Sequence, residues 1–226
     1  AILVSSWSEG SHKGVELSQA NISANAKQAA IELGAVSSDV IMSTLPTFHA
    51  FGFAITTLMP LAEGIPIVCH PDPKDVATIA SGIKKYTGTI LVGIPTFLRM
   101  YTISKKVSVD SMQCLRLVVA GAEKLRQEVR EGFETTFNMP VFEGYGTTET
   151  SPGASVNLTD LEADGLNSQK LRNRPGTVGR AFSGTEVRIV DPDSLEPIAS
   201  GEDGLILIGG PQIMKGYLKM PEKAAE

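Results

Sequence analysis

Short apolar runs alternating with amphipathic helical patterns over about the first two-thirds of the chain predict an α/β fold, a largely parallel sheet flanked by helices. Beyond about Asn157 the pattern changes to alternating strands bounded by Gly and Pro, which predicts a small antiparallel β unit after it. Length and composition suit both parts: 226 residues, 42 % hydrophobic and 20 % charged, are enough for one large core or two smaller ones.

Residues 1–5 form the first strand candidate. Residues 17–33 carry an alanine-rich helix that opens on Ser18 as N-cap and closes before Gly34. A strand over 40–45 stops at Pro46, a helix covers 51–59, and 65–69 is the next strand. Over 74–86, Val76, Ile79, Ala80 and Ile83 fall on one face at helical spacing. Strand 89–92, helix 96–104 and strand 115–120 follow. Helix 125–137 repeats Leu125, Val129, Phe133 and Phe137 four residues apart, and strand 141–143 comes after it. Residues 158–175 are polar and aperiodic, as expected of a long surface loop; strands over 185–190 and 204–208 follow, and 221–226 reads as the start of a helix. The expected division is therefore 1–157, α/β, and 158–226, a loop plus a β-rich part.

Composition excludes several classes. Twenty Lys and Arg against 25 Asp and Glu give a net charge of −5, without the basic field of a dedicated nucleic-acid binder. No run reaches the roughly 18 apolar residues that span a bilayer; the longest, 51–62, holds Gly52, Thr56, Thr57 and Pro60. The start, Ala1-Ile2-Leu3-Val4, is no signal peptide. Cys69 and Cys114 each have an aliphatic neighbour and form no CxxC, so two buried, reduced thiols in a cytoplasmic protein are expected. Both ends read as cuts from a longer protein.

Two segments carry chemistry. Ser5-Ser6-Trp7-Ser8-Glu9-Gly10-Ser11-His12-Lys13-Gly14 follows a strand and precedes a helix. Its small hydroxyls, backbone N–H groups and one lysine suit an anionic phosphate, though it is no Walker A loop and an ordinary polar turn has the same composition. In Glu143-Gly144-Tyr145-Gly146-Thr147-Thr148-Glu149, two glycines let the backbone approach a flat ligand. Thr148 offers a hydroxyl there and Glu149 a hard oxygen ligand for a cation. A Gly-rich turn with a solvated carboxylate is the plain alternative. Gly121-Ala122-Glu123 sits at a strand end, the binding edge of a parallel sheet. Three histidines without metal spacing give no zinc site, His70 beside Pro71 reads as a turn residue, and Ser151 lies in no Gly-x-Ser-x-Gly.

In order, residues 5–14, Phe48-His49-Ala50-Phe51-Gly52, Gly121-Ala122-Glu123, residues 145–149 and residues 204–217 resemble the adenylate-forming enzymes: acyl-CoA synthetases, luciferases and peptide-synthetase adenylation domains. The resemblance covers essentially the whole chain. Residues 118–125, 142–146 and 148–152 look most like acyl-acyl carrier protein synthetases, a module also found in 2-acylglycerophosphoethanolamine acyltransferases.

The resemblance implies an ATP- and Mg²⁺-dependent ligase that joins a fatty acid to AMP and then to the thiol of acyl carrier protein. Coenzyme A as acceptor, or a non-catalytic nucleotide- or acyl-binding fragment, are the alternatives. It implies no nucleic-acid partner, and a cytoplasmic location with room for peripheral association with a membrane. Ser5, Ser6, Ser8, Gly10 and Lys13 would close on the β- and γ-phosphates. Gly121, Ala122 and Glu123 would form one wall of the adenine pocket, and Gly144, Tyr145, Gly146 and Thr147 the other. Thr148 would bind the α-phosphate and Glu149 the Mg²⁺, both counted as catalytic. His49, Phe51 and Gly52 would lie at the acyl pocket, with Phe53 and Leu58 as apolar wall. Trp7 stands where the family usually has Gly, and His12 where it has Pro. The family's ribose-binding aspartate would fall just past Glu226, and its catalytic lysine in a further C-terminal domain. These 226 residues alone are therefore expected to be inactive.

Overall fold

The computed structural model describes residues 1–5, 12–158 and 174–225. β1 (Ile2–Ser5) and β2 (Lys13–Glu16) form an antiparallel hairpin that pairs Ser5 with Lys13. The Ser/Gly-rich stretch therefore runs into a strand, and the helix comes only after it. β2 hides in the sequence because a lysine and a glutamate occupy its two ends; Lys13 and Val15 are its buried positions.

α1 (Gln19–Glu32) begins where expected, because Ser18 and Asn21 cap each other: Asn21 N–H donates to Ser18 Oγ at 3.0 Å and Ser18 N–H to Asn21 Oδ1 at 2.9 Å. β3 (Ile41–Ser43) leads into α2 (Ala50–Phe53), a π-helical turn (Ala54–Leu58) and α3 (Met59–Glu63). The helix expected over 51–59 is thus longer. Pro60 does not end it, because the π turn has already offset the ladder, Met59 N–H reaching back to Ala54 O. The Thr56 and Thr57 hydroxyls both donate to Gly52 O at 3.0 Å.

β4 (Ile67–Cys69), α4 (Val76–Tyr86), β5 (Ile90–Gly93), α5 (Pro95–Ile103), α6 (Val109–Met112), β6 (Leu117–Ala120), α7 (Gln127–Phe137) and β7 (Val141–Gly146) follow. A short 3-10 turn (Thr148–Thr150) leads to β8 (Gly153–Asn157) and β9 (Arg180–Ala181). Together they make a seven-stranded sheet in the order β4-β3-β5-β6-β7-β8-β9. It is parallel from β4 to β7 and antiparallel from β7 to β9.

Strand alternation divides the core in two. Ile41, Ile90, Val92, Leu117 and Val119 face α1 and the α2–α3 helix, whereas Met42, Leu91, Val118, Ala120 and Val141 face α4, α5 and α7. Burial on both faces is why these strands read as unbroken apolar runs.

β10 (Glu186–Val190) and β11 (Leu205–Gly209) form a two-stranded antiparallel ribbon, and β12 (Gly216–Tyr217) joins β2. α8 (Pro221–Ala225) closes the described chain. The small antiparallel unit is present, and Val187 and Ile189 on its first strand are exposed. The thiols also differ from expectation: both are free, but Cys69 is exposed and Cys114 half-buried, Cys69 because β4 is the sheet's edge. Among the described residues no helix is long and apolar enough to cross a membrane.

Candidate functional site

A cleft opens at the C-terminal edge of the parallel strands, where an α/β sheet places its ligands. It forms there because each strand ends in a loop that turns away over one face. After β6 the chain passes through Gly121 to Ala122, which takes a left-handed φ of 64°. Gly121 faces the Phe51 ring so closely that a Cβ there would lie 2.7 Å from a ring carbon. Beside it, the buried Glu143 carboxylate accepts the Leu125 N–H at 3.1 Å, fastening the 121–125 turn to β7.

The β7–β8 connection makes the opposite wall. The ladder slips between Tyr145 and Gly146, and a Cβ on Gly146 would lie 1.7 Å from Pro152 O. Only glycine fits that crossing. Thr147 N–H donates to Thr150 Oγ1 at 3.0 Å, which closes the 3-10 turn carrying Thr148 and Glu149. From α1 the fully buried Asn25 side chain holds both backbone groups of Gly153, donating to its O at 2.7 Å and accepting from its N–H at 3.0 Å.

His49, Phe51, Gly121 and Ala122 line the cleft on one side, and Gly144, Tyr145, Gly146, Thr147 and Thr148 on the other. Three segments far apart in sequence thus meet at one cleft. His49 caps α2, its Nδ1 accepting Phe51 N–H at 3.3 Å. Ile55 also lines the cleft, whereas Phe53 and Leu58 do not: positions four apart share a helix face, so Phe51 selects Ile55. Gly52 lies beneath, against Pro46 O. Glu123 turns from the cleft into a neighbouring apolar cavity and accepts the Thr96 hydroxyl at 2.8 Å.

Ser5 and Lys13, both buried, face each other at the mouth of the hairpin. The expected site residues Ser6, Ser8 and Gly10 lie outside the described residues, as does Trp7. Glu149, next to Thr148, is not itself part of the cleft lining and points toward the hairpin: Tyr217 Oη donates to its Oε1 at 3.0 Å, and Lys13 Nζ sits 5.0 Å from the centroid of the Tyr217 ring. Sequence reasoning assigned no role to Tyr217, Asn25 or Phe182, of which Phe182 also lines the cleft.

The model of the AMP-binding enzyme family matches residues 1–218. Among curated proteins, the 4-coumarate–CoA ligase-like 8 of Arabidopsis thaliana is 31 % identical over 228 residues, covering 98 % of this chain and 39 % of its own length. A long-chain-fatty-acid–CoA ligase of Escherichia coli O157:H7 is 27 % identical over 96 % of this chain and 37 % of its own length. Among solved structures, ATP-bound MatB from Rhodopseudomonas palustris superposes with a TM-score of 0.85 at 26 % identity, over all of this chain and 42 % of that one. The chain thus spans about two-fifths of the relatives it matches.

Proposed function

From the premise that the chain belongs to the AMP-binding enzyme family, we propose that it is the nucleotide- and acid-binding part of a longer, AMP-forming acid–thiol ligase. The observation that carries this reading is the single cleft lined by Gly121 and Ala122 on one side and residues 144–148 on the other. The two glycine-bearing walls would take the adenine between them, and His49 and Phe51 would border the acid. A fatty acid is the substrate class, since Ile55, Val92 and Phe182 make the cleft's lower wall apolar. Its carboxylate oxygen would attack the α-phosphorus of ATP, forming the acyl-adenylate and releasing pyrophosphate; a thiolate would then displace AMP to give the thioester. Thr148 would donate to the α-phosphate and Lys13 offset the charge of the outer phosphates.

The donor set suits magnesium carried in on the nucleotide. Among the described residues no three His, Cys, Asp or Glu side chains gather into a metal site. Glu149 and Thr148 nonetheless supply hard oxygens, and Mg²⁺ commonly takes one or two carboxylates plus substrate phosphates. Such a cation supplies charge neutralisation at the phosphates, and Glu149 would hold it. The motifs closest to acyl-acyl carrier protein synthetases favour a carrier-protein thiol, but the relatives above are named for coenzyme A, and coenzyme A is the acceptor proposed. The free cysteines support a reducing, cytoplasmic compartment.

Gly121→Ala tests the division of the cleft. The new methyl would meet the Phe51 ring, so with coenzyme A as acceptor the KM for the acid should rise about tenfold and by more than that for ATP. An equal rise in both would contradict the division. Faster thioester formation on acyl carrier protein than on coenzyme A would contradict the acceptor.

A further inference from the structure

Tyr217 ends the 204–217 segment that carries part of the resemblance but is given no role above, yet it touches both charged residues on which the nucleotide reading depends. Its hydroxyl donates to Glu149 Oε1 at 3.0 Å, and its ring face lies 5.0 Å from Lys13 Nζ. The backbone around it is fastened on two sides. Toward the hairpin, Lys215 N–H donates to Glu16 O at 2.9 Å and Leu218 N–H to Gly14 O at 2.7 Å, with Tyr217 opposite Val15 in the ladder. Toward the 3-10 turn, Met214 N–H donates to Glu149 O at 2.9 Å. Residues 214–218 therefore join the base of the phosphate hairpin to the turn that carries the carboxylate.

We propose that Tyr217 is a positioning residue that sets Glu149 for the cation and Lys13 for the outer phosphates. A glutamate carboxylate rotates freely about its last bond, and a hydrogen bond to Oε1 fixes its plane and directs Oε2 outward. The ring attracts the ammonium through its quadrupole without cancelling its charge, and so holds it at the hairpin. This inference rests on the reading of Glu149 and Lys13 given under the proposed function.

Calorimetric binding of ATP and of AMP across a Mg²⁺ titration, in the full-length protein, separates the parts. Tyr217→Phe keeps the ring and removes the hydroxyl. The Mg²⁺ concentration for half-maximal ATP binding should rise about tenfold, while AMP affinity without Mg²⁺ stays within about twofold. Tyr217→Leu should in addition weaken ATP relative to AMP by about fivefold; if that variant does not fold, Tyr217→Phe alone decides. Glu149→Gln serves as the reference. A raised Mg²⁺ requirement in Glu149→Gln with an unchanged one in Tyr217→Phe overturns the positioning role and leaves the reading of Glu149 standing. An unchanged requirement in both overturns the reading of Glu149 and the positioning role with it. Equal weakening of ATP and AMP in Tyr217→Phe marks a structural residue and also overturns the proposal.

Discussion

In the full-length protein, Glu149→Ala is expected to slow acid-dependent adenylation by about 100- to 1000-fold, the range seen when one group that stabilises transition-state charge is removed. Acid affinity should stay within about threefold. Nothing in residues 147–150 can replace the lost charge, since its neighbours there are threonines. The fold should tolerate the change. Glu149 is only partly buried, and its best-anchored atom is the backbone oxygen that accepts Met214 N–H, which alanine keeps. Thermal unfolding within about 1 kcal/mol of wild type, combined with calorimetric titration of the acid, checks this. Parallel loss of acid and nucleotide affinity would mean that the turn had collapsed.

Arg116→Ala should destabilise the fold by about 3 kcal/mol without slowing each folded molecule. The Asp39 side chain is 2 % exposed; Arg116 Nε donates to its Oδ1 at 2.7 Å, Thr89 Oγ1 to the same oxygen at 2.7 Å, and Val36 N–H to Oδ2 at 2.9 Å. Removing one partner of a buried pair leaves an uncompensated charge, typically at a cost of about 3–5 kcal/mol. The lower end applies because the Arg116 side chain is 35 % exposed.

Burial by itself would raise the pKa of Asp39, but the Arg116, Val36 and Thr89 hydrogen bonds and the guanidinium charge outweigh it and hold it below the ordinary 3.8. A carboxylate depressed on folding contributes stability that is fully present above its unfolded pKa and is lost as pH falls through the folded one. The gap between wild type and Arg116→Ala in urea unfolding should therefore be widest near neutrality and narrow below about pH 3.8. A gap that persists unchanged in acid would contradict this origin. Catalysis should be spared because Asp39, Thr89 and Arg116 precede β3, β5 and β6, at the end of the sheet opposite the cleft.

What could be read from the sequence follows from how local each cause is. Ser18, Asn21 and the stripe of Val76, Ile79, Ala80 and Ile83 act within one or two turns, so α1 and α4 were legible almost to their ends. β2 and β8 were not. KGVE is four residues with charged ends, GASVN lacks period-2 contrast, and partners elsewhere make both into strands. The cleft was legible through its glycines, since Gly121 and Gly146 mark where backbone and ring approach too closely for a Cβ. Asn25 and Tyr217 carried no such mark. Their roles come from contacts 128 and 68 residues away, which no local pattern encodes. The outward turn of Glu123 belongs with them, because a Gly-Ala-Glu run does not fix which way its last side chain points.

The most direct measurement for an AMP-forming ligase is exchange of labelled pyrophosphate into ATP, in the full-length protein with the thiol acceptor left out. Exchange should require both a fatty acid and Mg²⁺ and should be nearly abolished in Glu149→Ala. Release of ADP and phosphate, or exchange indifferent to the acid, would contradict acyl-adenylate formation at this cleft.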